Sequence, residues 1–309
     1  MLLTYRRQMA LGLASVRVGC WTDAEAGTGV TVVLPPSGTL GAMAVRGGAP
    51  GTREAAALGP TGSGVECHAV ALCGSSVFGL AAVDGVVDWC RRTGIGLRLA
   101  GTHVPVVAGM VVFDLRGSDD DPVDRAMPTP SSGIAACEAA TTDDPPSGRV
   151  GVGTGCTAAK IAGRGHSVPG GQGSAVVRQG DLVVSALMAV NPVGEVIDQD
   201  GSVLAGTTAP ADAPRFPEVP MSELSAWDEA RGNTVIGCVV TNARLDKAQA
   251  HRCADLAHGG IVRSVQPAHT SMDGDAITLL ALGEVEASID QVVSMAVDAV
   301  AEAVRDAVR

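Results

Sequence analysis

Three long stretches almost free of charge constrain this chain most. Residues 181–190 (DLVVSALMAV), 234–241 (TVIGCVVT) and 275–282 (DAITLLAL) are apolar nearly throughout. Such runs, rich in Val, Ile and Thr, predict buried strands. Residues 29–34 (GVTVVL), stopped by two prolines, predict another. Helices are predicted between these runs. Over 75–92, Ser75 or Ser76 can cap a helix whose apolar stripe is Phe78, Ala82, Val86, Trp89 and Cys90, with Gly94 just beyond its end. Residues 246–258 predict a second helix, ended by Gly259-Gly260. Ser288-Ile289-Asp290-Gln291 has a capping-box pattern, and Ile289, Val293, Ala296, Val300 and Val304 follow at helical spacing. Buried strands with amphipathic helices imply a layered α/β or α+β core. No internal repeat is visible, and 309 residues suit one large domain or two modest ones.

Aromatic residues make up only 2% of the chain, so the core must be built from Val, Ala, Leu and Ile, which favour close packing of elements. The formal charge of −11 argues against a nucleic-acid partner, which would need clustered Lys and Arg. The eight cysteines include no Cys-x-x-Cys pair, and several lie inside apolar runs. Buried, reduced thiols in a cytoplasmic protein are expected, and no structural zinc. Two arginines and a short apolar stretch at the N-terminus do not make a signal peptide, and residues 106–113 are too short to span a bilayer. The expectation is an unanchored protein without cofactor or metal.

Two segments break the globular pattern. Residues 116–149 are rich in Asp, Pro, Ser and Thr, and residues 206–231 contain TTAPADAPRFPEVP and SELSAWDEAR. Both read as exposed loops or linkers. The second runs directly into Gly232-Asn233-Thr234, and an exposed stretch is where a chain can be cut without loss of fold.

A cut between Asn233 and Thr234 would give Thr234 a free α-amine. An α-amine with a pKa of about 8 can act as general base for the hydroxyl beside it. The same hydroxyl can make the cut, by attacking the Asn233 carbonyl. On local sequence alone, a plain Gly-Asn turn before a strand is the stronger reading. Asp273-Gly274-Asp275 offers two carboxylates which strand alternation would point to one side, able to hold an ammonium, orient a hydroxyl or share a proton. Alone it reads as a polar turn. Gly151 to Lys160 holds glycines but fails the spacing of a phosphate loop, and Lys160 by itself reads as a surface lysine. Asn191, ending a buried run before Pro192, reads as a turn residue that can also offer its amide to an oxyanion. His269 reads as a hydrogen-bonded structural histidine, and no Gly-x-Ser-x-Gly elbow exists.

In order along the chain stand Thr28-Gly29-Val30-Thr31-Val32, Val45-Arg46-Gly47-Gly48-Ala49-Pro50-Gly51-Thr52-Arg53-Glu54, Ser76-Val77-Phe78-Gly79, Asn191-Pro192-Val193-Gly194, Gly232-Asn233-Thr234 and Met272-Asp273-Gly274-Asp275. As an ordered set they resemble the self-processing hydrolases that include D-aminopeptidase/L-aminopeptidase-esterases, β-peptidyl aminopeptidases and nylon-oligomer endohydrolases. The resemblance covers most of the chain. It implies a four-layer αββα sandwich, similar to that of N-terminal nucleophile hydrolases. It implies one domain over 1–309, cut into 1–233 and 234–309, with the cut pairs assembling as homo-oligomers, usually tetramers. It implies Thr234 as nucleophile, and Lys160, Asn191, Asp273 and Asp275 as its catalytic partners, acting on a small peptide or oligoamide. The Asp-Gly-Asp form leans towards the nylon-oligomer branch. One departure stands out: Phe113 falls where related enzymes carry a tyrosine, which leaves substrate preference open. Two rival readings accompany this one. An ornithine acetyltransferase-like enzyme would pass the acyl group to an amine, and a non-catalytic relative would keep only the fold.

Overall fold

The computed structural model describes residues 9–63, 66–115, 125–223 and 232–309. Its principal strands are β1 (Arg17–Asp23), β2 (Thr28–Leu34), β3 (Leu40–Val45), β4 (Thr52–Arg53), β5 (Ala69–Cys73) and β6 (Val107–Val111). They continue with β7 (Gly171–Gln179), β8 (Leu182–Asn191), β9 (Thr234–Ala243) and β10 (Ala276–Val285). The longer helices are α1 (Leu80–Arg92), α2 (Pro130–Glu138), α3 (Lys247–Ser264) and α4 (Ile289–Asp306). One five-stranded sheet has the order β1-β2-β5-β6-β4 and the other β7-β8-β9-β10-β3.

Side-chain alternation along each strand builds the layers. In β9, Ile236, Cys238 and Val240 face Val70, Leu72 and Met110 of the other sheet. Its Val235 and Val239 face the opposite way, onto Ala254, Ile261, Ala296 and Val300 of α3 and α4. In the first sheet, Val30, Val32 and Ala71 meet Ala82, Val86 and Ala136 of α1 and α2. The result is the four-layer αββα arrangement, with both faces of β9 covered. That is why the apolar runs show no alternating polarity. Small side chains at these contacts let the layers approach closely.

Three sequence expectations need correction. The polar segment 116–149 contains α2, opened by a capping box at Thr129 with Pro130 in its first turn. Its buried face is Gly133, Ala136 and Cys137, too small to register as an apolar stripe. Residues 116–124 of that segment, and 224–231 of the second proposed linker, lie outside the described residues. The first helix begins at Leu80 after a 3-10 turn over Ser76–Gly79, and Ser75 does not cap it. Ser75 instead gives its backbone N–H to Asp114 Oδ1 at 2.7 Å and shares a hydroxyl contact with Thr28 at 3.1 Å. The helix starting at Lys247 runs through Gly259-Gly260 to Ser264. At Gly260 a Cβ would lie 2.5 Å from the Val297 carbonyl, so this glycine is a contact between α3 and α4 and not a stop. The C-terminal helix begins as its pattern predicts, with Ser288 accepting from the Gln291 N–H.

Candidate active site

Thr234 is the first residue of β9, paired across the sheet with Asn191, the last residue of β8. It is 4% exposed. The residue before it, Asn233, bridges to Asp273 on the loop leading into β10. Two groups meet at the Asn233 carbonyl oxygen. The Gly274 N–H donates to it at 2.8 Å, and the Thr234 hydroxyl donates to it as well. A hydroxyl thus lies against the carbonyl of its own preceding peptide bond. A backbone N–H stands where negative charge would develop on attack. Gly274 has no room for a side chain: a Cβ there would lie 2.9 Å from the Ala49 carbonyl and 3.0 Å from Thr234 Oγ1.

Asp273 and Asp275 both precede β10, so the loop and not strand alternation brings them together. Asp273 Oδ2 accepts from the backbone N–H and hydroxyl of Thr270 at 2.8 and 2.6 Å. Its Oδ1 is buried without a hydrogen-bond partner. Burial, reinforced by the charge of Asp275, pushes the Asp273 carboxyl up to about 6, against the pull of the Thr270 hydrogen bonds. Asp275 Oδ1 accepts from the Val235 N–H at 2.6 Å, and so fixes the backbone one residue past Thr234. Its Oδ2 meets His269 Nδ1 at 2.7 Å.

Lys160 is fully buried, not the surface lysine its sequence context suggests. Its Nζ donates towards Thr157 O (2.8 Å), Asn191 O (3.0 Å), Asn191 Oδ1 (3.1 Å) and Pro192 O (3.1 Å). Burial pushes the ammonium down to about 7, and the Arg164 charge acts in the same direction. The charges of Cys156 and Asp273 work the other way. Asn191 Oδ1 also accepts from the Thr157 N–H at 2.9 Å, which sets the orientation of the amide. Its Nδ2 therefore points to the carbonyls of Phe113 (3.0 Å) and Gly232 (3.3 Å). In the uncut chain the Asn191 amide thus donates one residue short of the Asn233 carbonyl.

A pocket of about 310 Å³ opens onto Asn233 and Thr234. Ala49, Pro50, Val77, Val111, Phe113 and Met272 supply its apolar walls. Phe113 lies against the backbone of Gly232, where a Cβ would come 2.1 Å from the ring. The Arg164 guanidinium stands 5.6 Å from the centre of that ring. Every site residue expected from sequence falls in this region: Thr234, Asn233, Lys160, Asn191, Asp273, Asp275 and Phe113. Sequence reasoning missed the Gly274 N–H, because a backbone donor leaves no trace in residue type. It took His269 as structural, because nothing in the sequence ties His269 to Asp275.

The two five-stranded sheets packed between helical layers define a four-layer αββα fold. The chain belongs to peptidase family S58, whose pattern matches residues 12–309. It is 38% identical over 292 residues to an uncharacterized aminopeptidase of Mycobacterium tuberculosis, spanning 88% of this chain and 81% of that one. It is 30% identical over 288 residues to a 6-aminohexanoate-oligomer endohydrolase of Paenarthrobacter ureafaciens, spanning 92% of this chain and 77% of that one. Its fold is shared with a β-aminopeptidase of Burkholderia sp., at a TM-score of 0.70 and 21% identity, covering 98% of this chain and 86% of the other. It is shared also with the L-aminopeptidase D-Ala-esterase/amidase of Ochrobactrum anthropi, a variant of the Ntn hydrolase fold. Here the TM-score is 0.68 and the identity 19%, with 97% and 85% of the two chains covered. The chain is an amide-bond hydrolase. Among the described residues, no helix is long and apolar enough to cross a membrane.

Proposed function

We propose that this hydrolase matures by cutting itself between Asn233 and Thr234, and that Thr234 then attacks amide substrates through an acyl-enzyme. The observation that carries this reading is the Thr234 hydroxyl resting on the Asn233 carbonyl, which also accepts from the Gly274 N–H. Attack by Oγ1 expels the Thr234 nitrogen and leaves an ester, which water hydrolyses. The freed α-amine then serves as general base for the next attack. Lys160 holds Asn191 in place and supplies positive charge beside the site. Departure of the 232–233 segment frees Asn191 Nδ2 from the Gly232 carbonyl, so that it can serve a substrate oxyanion. Asp273 and Asp275 hold the new terminus.

The apolar pocket favours substrates that present an uncharged chain beside the scissile amide. Small peptides and oligoamides, including those named for the endohydrolase relatives, fit that description. Phe113 supplies bulk there without a hydroxyl. The eight cysteines are all free and seven are buried, which supports a reducing compartment such as the cytoplasm. From the family resemblance, the cut pairs are taken to assemble as homo-oligomers. The test is intact mass on a denatured preparation. Fragments ending at Asn233 and starting at Thr234 are expected, and Thr234→Ala is expected to leave one uncut, inactive chain. A Thr234→Ala chain that still matures would sink the reading.

A further inference from the structure

His269 has no place in the proposed chemistry, yet its ring is bonded directly to one of the two acids. Nδ1 lies 2.7 Å from Asp275 Oδ2, and the His269 backbone N–H approaches the same oxygen at 3.3 Å. The other Asp275 oxygen takes the Val235 N–H at 2.6 Å. Asp275 is thus stretched between His269 and the strand that carries Thr234. His269 holds a left-handed backbone conformation, with φ of 55°, which turns its ring back onto the acid. The second ring, His258 on α3, meets it edge-on at a centroid distance of 4.9 Å and gives its Nε2 to the Ala44 carbonyl at 3.2 Å.

We propose that His269 is a positioning residue: bound as a cation to the far oxygen of Asp275, it holds that carboxylate as an anion aimed at the start of β9, so that Asp273 is the acid free to exchange a proton beside Thr234. The proposal rests on the Thr234 reading and adds a residue that acts on Thr234 only through Asp275. His269 Nε2 is buried without a hydrogen-bond partner, so the charge rests on the Asp275 contact at Nδ1. Asp275 and Asp273 approach from its own loop. Burial disfavours the charged ring, but the hydrogen bond and charge of Asp275 outweigh it and hold His269 above the usual histidine range. From α3, His258 is pushed down to about 4, by burial first and then by His269, so it is neutral near pH 7 and does not repel its neighbour. Asp255, behind His258, is bound to Arg46 at 2.5 Å. The Lys160 charge acts on Asp273 as well. The buried, unpartnered Asp273 Oδ1 is the free acceptor such a division of labour needs.

The test uses the chain as its own substrate. Full-length protein made by cell-free synthesis is sampled over time between pH 4.5 and 8, and the cut is followed by intact mass. His269→Asn keeps a donor near the Nδ1 position and tolerates the left-handed backbone, but carries no charge. We expect its self-cleavage rate to stay within a few-fold of wild type on the alkaline plateau, while the acid limb moves up by about one pH unit or more. His269→Ala, with neither donor nor charge, should also lose about tenfold or more on the plateau, the order of a lost charge-assisted hydrogen bond. An acid limb of His269→Asn that coincides with wild type, or a loss equal at every pH, overturns the proposal. If the variants do not fold, the ring nitrogens of His269 in the uncut Thr234→Ala chain decide by ¹⁵N resonance. A charged ring through pH 7 supports the proposal, and a neutral ring in either tautomer overturns it. Cleavage that persists in Thr234→Ala defeats the nucleophile reading. Thr234-dependent cleavage with an unmoved acid limb defeats only the role of His269.

Discussion

Asp273 illustrates how one buried side chain couples stability to the chemistry. Its carboxyl titrates higher in the folded chain than in the unfolded one. Such a group adds stability below the unfolded pKa, near 4, and loses it as pH rises through about 6. Asn keeps the shape and an acceptor for Thr270 but cannot ionise. In the Thr234→Ala background, Asp273→Asn should therefore gain melting temperature relative to its parent between pH 4 and pH 7. Thermal melts followed by circular dichroism check this, and a gap that stays constant with pH would contradict the assignment. Among the residues suggested by sequence, Thr234, Asp273 and Asp275 came from order along the chain. Lys160 shows what local pattern conceals. A lone lysine after alanines looks like a solvated residue, and only the ring of oxygens from Thr157, Asn191 and Pro192 makes burial of its charge tolerable.

Between elements, glycines do work that sequence assigned to turns. Gly259-Gly260 reads as a helix end, yet α3 continues through it and presses against α4. An added Cβ at Gly260 would lie 2.5 Å from the Val297 carbonyl and 2.7 Å from Val300 Cβ. Gly260→Ala should improve intrinsic helix propensity and still lower stability, by about 1–3 kcal/mol, because the two helices must separate. The urea midpoint measures this, and an unchanged or raised midpoint would mean that the helices yield freely. Gly232 works similarly at the entrance to β9. Its φ of +92° and its contact with the Phe113 ring let the chain pass between pocket wall and strand.

Across the whole molecule, residues 234–309 hold β9, α3, β10 and α4, which form the middle of one sheet and the layer covering it. β9 pairs with β8, and β10 with β3, so strands from residues before the proposed cut lie on both sides. One broken peptide bond removes none of those ladders and none of the apolar contacts between sheets. The two fragments should therefore co-elute in gel filtration under native conditions and separate only in denaturant. Free release of the smaller fragment from native protein would show that the cut lies elsewhere or disrupts the sheet. The same architecture puts the proposed cut at the first residue of a central strand, where the proposed nucleophile has a rigid base.

The sequence by itself determined four buried strands (over 29–34, 181–190, 234–241 and 275–282), the helix stripes, the all-aliphatic core and the order of motifs from which Thr234, Lys160, Asn191, Asp273 and Asp275 could be named. These are local or one-dimensional properties: periodicity, capping pattern and residue identity. Tertiary structure alone decided that β9 lies between β8 and β10, that Asn191 ends up opposite Thr234, and that α2 hides within an acidic, proline-rich segment. It alone also paired His269 with Asp275 and set the Gly274 N–H on the Asn233 carbonyl. Such contacts depend on how distant strands register and how loops fold back, and on backbone groups which every residue type carries alike.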